Sequence, residues 1–108
     1  MQKIPQAELK IMKFIWSKND IVTSKEVVEA MEIECGWKVT TTLTIISRLV
    51  NKRFLSNERI KRITHYTILI TKQEYKVFAT KRFLEEVHSN SLESLRDSLI
   101  DIQKNSAT

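Results

Sequence analysis

The most informative stretch of the sequence runs from residue 38 to residue 62 and reads KVTTTLTIISRLVNKRFLSNERIKR. Its first half has apolar side chains at helical spacing, and a helix here buries Ile45, Ile46 and Leu49 on one face. The opposite face carries short hydroxyls with one arginine and one amide: Thr40, Thr44, Ser47, Arg48 and Asn51. Exposed helix faces usually carry Glu, Lys and Gln, which form helices more readily. This face is therefore suited to lie close to another polar surface.

Two strand-like runs follow this helix. Residues 54–58 lead into the basic segment 59–62, and residues 63–70 alternate in their later part between apolar and polar side chains. The two runs predict a β-hairpin with a basic tip. The tip contains no glycine and no Asn-Gly pair, so the sequence leaves the type of turn open.

Two helices are predicted before this stretch. The first covers roughly residues 5–18, with Pro5 in its first turn. The second begins at a capping box, in which the Thr23 hydroxyl accepts from a backbone amide and Glu26 reaches back, and it ends at Gly36. Three helices and a hairpin make a winged helix-turn-helix. In this arrangement the second and third helices form a pair, and the third helix enters the major groove of DNA.

Two more helices are predicted after the hairpin, the first of them opened by a second capping box at Thr71 and Glu74. The last helix has an a/d stripe of leucines and one isoleucine, and its polar tail, residues 103–108, is expected to fray. The stripe either pairs two copies of the chain or packs onto its own domain. The residues predicted for dimerisation are Tyr75, Phe78, Phe83, Leu92, Leu95, Leu99 and Ile102.

The predicted fold class is mainly α with a small β-hairpin, a winged helix-turn-helix plus C-terminal dimerisation helices. Residues 1–70 are predicted to form the winged-helix DNA-binding domain and residues 71–108 a helical dimerisation segment. The single glycine and single proline favour helices and argue against long flexible linkers.

The positive charge of the chain is concentrated in its first two thirds. The net charge is +5; residues 1–70 hold 12 Lys and Arg against 7 Asp and Glu, whereas residues 71–108 hold 6 of each. This indicates either a double-stranded DNA partner or a solvated basic face. The cations are expected to meet phosphates and the helix face to meet base edges. The predicted DNA-binding residues are Thr23, Lys38, Thr40, Thr41, Leu43, Thr44, Ser47, Arg48, Lys52, Lys61 and Arg62.

Several function classes find no support in the sequence. Cys35 is the only cysteine, and no metal-ligand spacing links it to His65 or His88, so we expect neither a disulfide within the chain nor a metal or other cofactor. No nucleophile–base pair or glycine-rich phosphate loop indicates an enzyme, and no small-molecule ligand is evident. Without a signal-peptide core or a run of about 18 apolar residues, the cytoplasm is the expected location.

These residues together resemble the penicillinase-repressor family, the winged-helix repressors of β-lactam resistance operons. The resemblance spans about residues 4–88. It is carried by Ile4-Pro5, Glu8-Leu9, Ile11-Met12, Trp16, Thr23, Glu26-Val27, Trp37, Thr40-Thr41, Thr44, Arg48-Leu49-Val50, Lys52, Arg62 and Tyr66.

The resemblance implies a homodimer on a palindromic operator, with the third helix in the major groove and interlocked C-terminal helices. It also implies induction through cleavage of the C-terminal region by a membrane-bound sensor protease. The candidate cleavage region here is Ser98 and Leu99, where the family's usual Asn-Phe bond is absent. The chain departs from the family in three further places: Leu43 stands where the family usually has a longer polar or basic residue, and Arg53 and Lys61 stand where it usually has glycine.

The leading functional hypothesis is accordingly a transcriptional repressor of antibiotic resistance genes. The alternative is a winged helix used only for protein–protein contact, because a fold can persist without the DNA-binding function.

Overall fold

The computed structural model describes residues 1–106, which form five helices and three strands. In chain order these are α1 (Gln6–Lys18), β1 (Val22–Thr23), α2 (Ser24–Cys35), α3 (Val39–Asn51), β2 (Leu55–Ile60), β3 (Ile63–Ile68), α4 (Lys72–His88) and α5 (Leu92–Ser106). The predicted fold class, mainly α with a small sheet, is confirmed, and each predicted helix is present; the dimerisation role of the last two helices stays a prediction.

The first two helices end where the sequence indicates. Asn19 takes the left-handed conformation after α1 (φ 51°), and Gly36 does so after α2 (φ 68°), where the absence of a Cβ removes the steric cost. The predicted capping box of α2 is present: the Glu26 amide donates to the Thr23 hydroxyl and the Thr23 amide donates to the Glu26 carboxylate.

The sheet has three antiparallel strands in the order β1-β3-β2, not the two of the predicted hairpin. In β1, Val22 pairs with Tyr66. A strand of two residues is too short to show the alternation that identifies strands. The wing, defined as β2, β3 and their connection, turns through Lys61 and Arg62, and both have positive φ (51° and 70°). This is the type I′ geometry, which matches the twist of the strands and settles the turn type that the sequence left open.

The first compact unit, Met1–Glu74, has its core between the three helices and the sheet. Thr42 is buried on the same face of α3 as the apolar residues of that helix, as the helical spacing predicts. Fully buried side chains come from each of these elements and include Ile11, Met12, Ile15, Val22, Val27, Met31, Ile46, Leu49, Phe54 and Leu55. The core therefore fixes α3 by its apolar face and leaves the other face uncovered.

The second compact unit begins at Tyr75. Within it, His88 at the end of α4 is buried, its Nδ1 lies 2.7 Å from the Ser94 hydroxyl, and its ring meets Phe83 edge to face. Helix α5 has no buried residue between its bounds. The prediction of a frayed tail from residue 103 is wrong as far as Ser106, because α5 continues to that residue; residues 107 and 108 lie outside the described part of the chain.

Candidate nucleic-acid interface

The exposed face of α3 contains the hydroxyls and the arginine that the sequence places there. Thr40, Thr44, Ser47, Arg48 and Asn51 are all exposed. A shallow depression of about 300 Å³ lies along this face, lined by Thr40, Thr41, Thr44, Ile45 and Arg48. The helix contains no acidic residue, so nothing within α3 would repel a polyanion.

Two of these hydroxyls bond back to their own helix. The Thr44 hydroxyl donates to the Thr40 carbonyl (2.8 Å) and the Ser47 hydroxyl donates to the Leu43 carbonyl (3.0 Å). Leu43 lies at the edge of the face, with 39% of its surface exposed. These bonds hold short side chains flat along the helix, which lets the helix backbone come close to a second surface.

The start of α3 combines a lysine with backbone amides that could bind an anion. Lys38 is the N-cap residue, is exposed, and makes no side-chain cap hydrogen bond. Thr40 and Thr41 follow in the first turn. Unpaired first-turn amides and the helix dipole favour an anion such as a phosphate oxygen at this end.

Lys52, at the end of α3, is engaged within the protein. Its Nζ donates to Oε1 of Glu8 at 2.6 Å; the Glu8 side chain is 2% exposed and the Lys52 side chain 23%. This ion pair ties α3 to α1. From the sequence, Lys52 is predicted only as a DNA contact, and its ion pair with Glu8 is not predicted. Glu8 shares a helical face with Met12 and Ile15 and so belongs to the buried side of α1.

The wing presents its cations at an exposed turn. Lys61 and Arg62 are exposed, as is Arg59 just before them. Arg53, between α3 and β2, is also exposed and has a left-handed backbone (φ 62°). Arg53 and Lys61 thus occupy left-handed conformations that favour glycine.

Thr23 is predicted to contact DNA, but its side chain already caps helix α2. Its hydroxyl accepts from the Glu26 amide (3.2 Å) and donates to the Glu26 carboxylate (3.1 Å). The side chain therefore serves the capping box of α2, and a phosphate contact at Thr23 stays a prediction.

The residues predicted for dimerisation range from buried to exposed. Tyr75 is buried, with its ring 6.2 Å from that of Phe78, which is half-buried. Leu95 is half-buried as well. The other four side chains are exposed: Phe83, Leu92, Leu99 and Ile102. Leu92 has the largest exposed fraction of the four, 71%. In the candidate cleavage region, Ser98 is half-buried and Leu99 exposed, both inside α5.

Tyr66 and Glu74 have displaced pKa values. Burial raises the pKa of the Tyr66 phenol in β3. The Thr71 amide (2.9 Å) and the Thr71 hydroxyl both donate to the Glu74 carboxylate and lower the pKa of Glu74, because these bonds favour the charged form. Within residues 1–106, no set of three His, Cys, Asp or Glu side chains could hold a metal ion, and no helix is long and apolar enough to cross a membrane.

Three helices, a wing and an exposed third helix define a winged helix-turn-helix protein. The chain belongs to the penicillinase repressor family, whose sequence profile matches residues 4–108. The penicillinase repressor of Bacillus licheniformis is 32% identical over 98 residues, covering 88% of this chain and 76% of the relative. The methicillin resistance regulatory protein MecI of Staphylococcus aureus strain N315 is 27% identical over 93 residues, covering 86% and 75%.

Two solved structures share the fold. The solution structure of the DNA-binding domain of the repressor BlaI has a TM-score of 0.59 and 35% identity, and the match covers 69% of this chain and 94% of that one. The solution structure of monomeric Bacillus licheniformis BlaI in complex with the blaP half-operator has a TM-score of 0.59 and 30% identity, covering 68% and 89%.

Proposed function

We propose that the chain is a transcriptional repressor that binds double-stranded DNA through the exposed face of α3, as a homodimer on a palindromic operator. One observation carries the proposal: α3 is held by its buried face and presents an acid-free face of short hydroxyls with Arg48. Membership of a repressor family and the half-operator complex of a structural relative support it.

In this proposal α3 lies in the major groove and the surrounding cations meet phosphates. Lys38, Arg48, Lys61 and Arg62 are exposed and available for that role. The bound dimer represses by covering a promoter and excluding polymerase, and no step is catalytic. The relatives' names point to β-lactam resistance genes as the regulated class. A cytoplasmic location follows from the DNA partner.

The homodimer is proposed from the C-terminal unit. Leu92, Leu99 and Ile102 expose a stripe of apolar surface at a/d spacing, and a second copy of the stripe would remove it from water. A dimer also matches an operator with two half-sites about one helical turn apart. Sedimentation equilibrium should give twice the mass of one chain, and Leu99→Lys should shift the chain towards the monomer.

Induction by a membrane-bound sensor protease stays a prediction that rests on the family. The region that corresponds to the family's cleavage site, Ser98 and Leu99, lies within α5. A protease needs an extended substrate, so α5 would have to unfold locally before it is cut. Incubation with such a protease, followed by mass spectrometry, would show whether the cut falls there.

The test of DNA binding is a salt-dependent titration of three proteins. The wild-type affinity for duplex DNA should fall with a log–log slope of about −0.9 per neutralised phosphate. Arg48→Ala should weaken binding on every duplex and flatten the slope by about one unit. Lys81→Ala removes the same charge from an exposed position in α4 and should change neither. A wild-type chain without salt-sensitive association would refute the proposal and favour a protein–protein module.

A further inference from the structure

The hydroxyls of Thr44 and Ser47 are engaged as hydrogen-bond donors within their own helix. Each oxygen lies within hydrogen-bond distance of a carbonyl of its own helix, 2.8 Å for Thr44 and 3.0 Å for Ser47. A carbonyl oxygen can only accept, so in each case the hydroxyl must supply the proton. While this bond is made, each hydroxyl offers the solvent only its two lone pairs, which accept hydrogen bonds.

Leu43 completes the local pattern on the helix surface. At about 100° per residue, Ser47 lies between Leu43 and Thr44 on the exposed side of α3. The Ser47 hydroxyl also donates a hydrogen bond to the backbone carbonyl of Leu43. Two acceptors and a partly exposed apolar side chain thus stand next to one another.

The major groove presents a matching pattern at one type of base pair. Adenine offers its N6 amino group as a donor, and the thymine opposite offers its methyl group. A G·C pair offers the acceptors N7 and O6 beside the cytosine amino group, and no methyl. To donate to guanine, Thr44 or Ser47 would have to give up its helix bond, whereas accepting from the adenine amino group adds a bond and loses none. The cytosine amino group could be accepted in the same way, so the thymine methyl, which faces Leu43, is the feature that separates A·T from G·C.

We propose that Thr44 and Ser47 act as hydrogen-bond acceptors that select the adenine amino group, with Leu43 against the thymine methyl of an A·T pair. This inference rests on the proposed function and adds the base class that α3 selects. The match needs no rearrangement of the helix.

The test uses base analogues in a duplex selected by the wild-type chain from a random pool. At each A·T pair in turn, adenine is replaced by purine, which lacks the N6 amino group, or by 7-deazaadenine, which lacks the N7 acceptor. Purine at one or two positions should weaken wild-type binding about three- to tenfold. Replacement by 7-deazaadenine at the same positions should have little effect. Uracil for thymine there should weaken binding by removing the methyl.

Variants connect these effects to the side chains. The double variant Thr44→Val and Ser47→Ala keeps the shape of the face but loses both acceptors, so it should no longer distinguish adenine from purine. Leu43→Ala should remove the sensitivity to uracil. Ser56→Ala, at an exposed serine of β2, is the control and should behave as the wild type.

The outcomes separate the inference from the function on which it rests. Wild-type binding that is lost with 7-deazaadenine but tolerates purine would mean that the hydroxyls donate, and would overturn the inference while the repressor proposal stands. An equal effect of purine on the double variant and the wild type would do the same. A random pool that yields no enriched sequence would overturn both.

Discussion

The ion pair between Lys52 and Glu8 gives the sharpest stability prediction. Replacing Lys52 by Met keeps the length of the side chain and removes its charge, which leaves the 2%-exposed Glu8 carboxylate without its cation. Removing one partner of a buried ion pair typically costs about 3–5 kcal/mol. Because the Lys52 side chain is 23% exposed, water can reach the site, and we expect a loss of about 2–4 kcal/mol in the free energy of unfolding.

Removing the charge of Glu8 instead should cost less free energy of unfolding. In Glu8→Gln, the half-buried Lys52 can turn its ammonium group towards water, so we expect about 1–2 kcal/mol. The double variant should be more stable than the sum of the two losses implies, because it leaves no unpaired charge. A coupling energy of about 1–3 kcal/mol is expected for residues in direct contact.

Urea unfolding at pH 7, followed by circular dichroism, measures each variant. Lys81→Met is the control, since it removes a lysine charge from an exposed position and should change stability by less than about 0.5 kcal/mol. Additive losses from the two single changes, or a cost for Lys52→Met no greater than that of the control, would refute a structural role for the pair. Lys52 would then be free for the phosphate contact first assigned to it.

Three further predictions concern single sites. Thr42→Val should raise the free energy of unfolding by about 1 kcal/mol in urea, because the buried Thr42 hydroxyl has no hydrogen-bond partner among residues 1–106; a loss would contradict this. Arg53→Gly should stabilise by about 0.5–1 kcal/mol in thermal unfolding, because glycine tolerates φ 62°, whereas Arg53→Ala should not. Glu74 should titrate by NMR below its ordinary pKa, and Thr71→Val should return that pKa part of the way. Since the folded-state pKa is lowered, the capping contribution is present above the unfolded value of about 4.3 and is lost as pH falls through the folded value.

The sequence predicted those parts of the fold that local patterns determine. The capping box of α2, the end of that helix at Gly36 and the division of α3 into buried and exposed faces all depend on residues within about one or two turns of each other. The structure has them as predicted. The exposed stripe of α5 was predicted in the same way from its spacing.

Features that depend on distant parts of the chain were missed. The strand β1 has two residues and exists through its pairing with β3, so no periodicity marks it. Lys52 and Glu8 are 44 positions apart, and only the packing of α1 on α3 brings them together. The left-handed backbone at Arg53, Lys61 and Arg62 was also not predicted, because arginine and lysine normally avoid that conformation.

The central claim, that the exposed face of α3 recognises a DNA sequence, is tested most directly by one ratio of dissociation constants. The wild-type chain is titrated, at about 150 mM salt, against its selected duplex and against a scrambled duplex of the same length and composition. We expect the selected duplex to bind at least about a thousandfold more tightly. Equal dissociation constants for the two duplexes would contradict the claim.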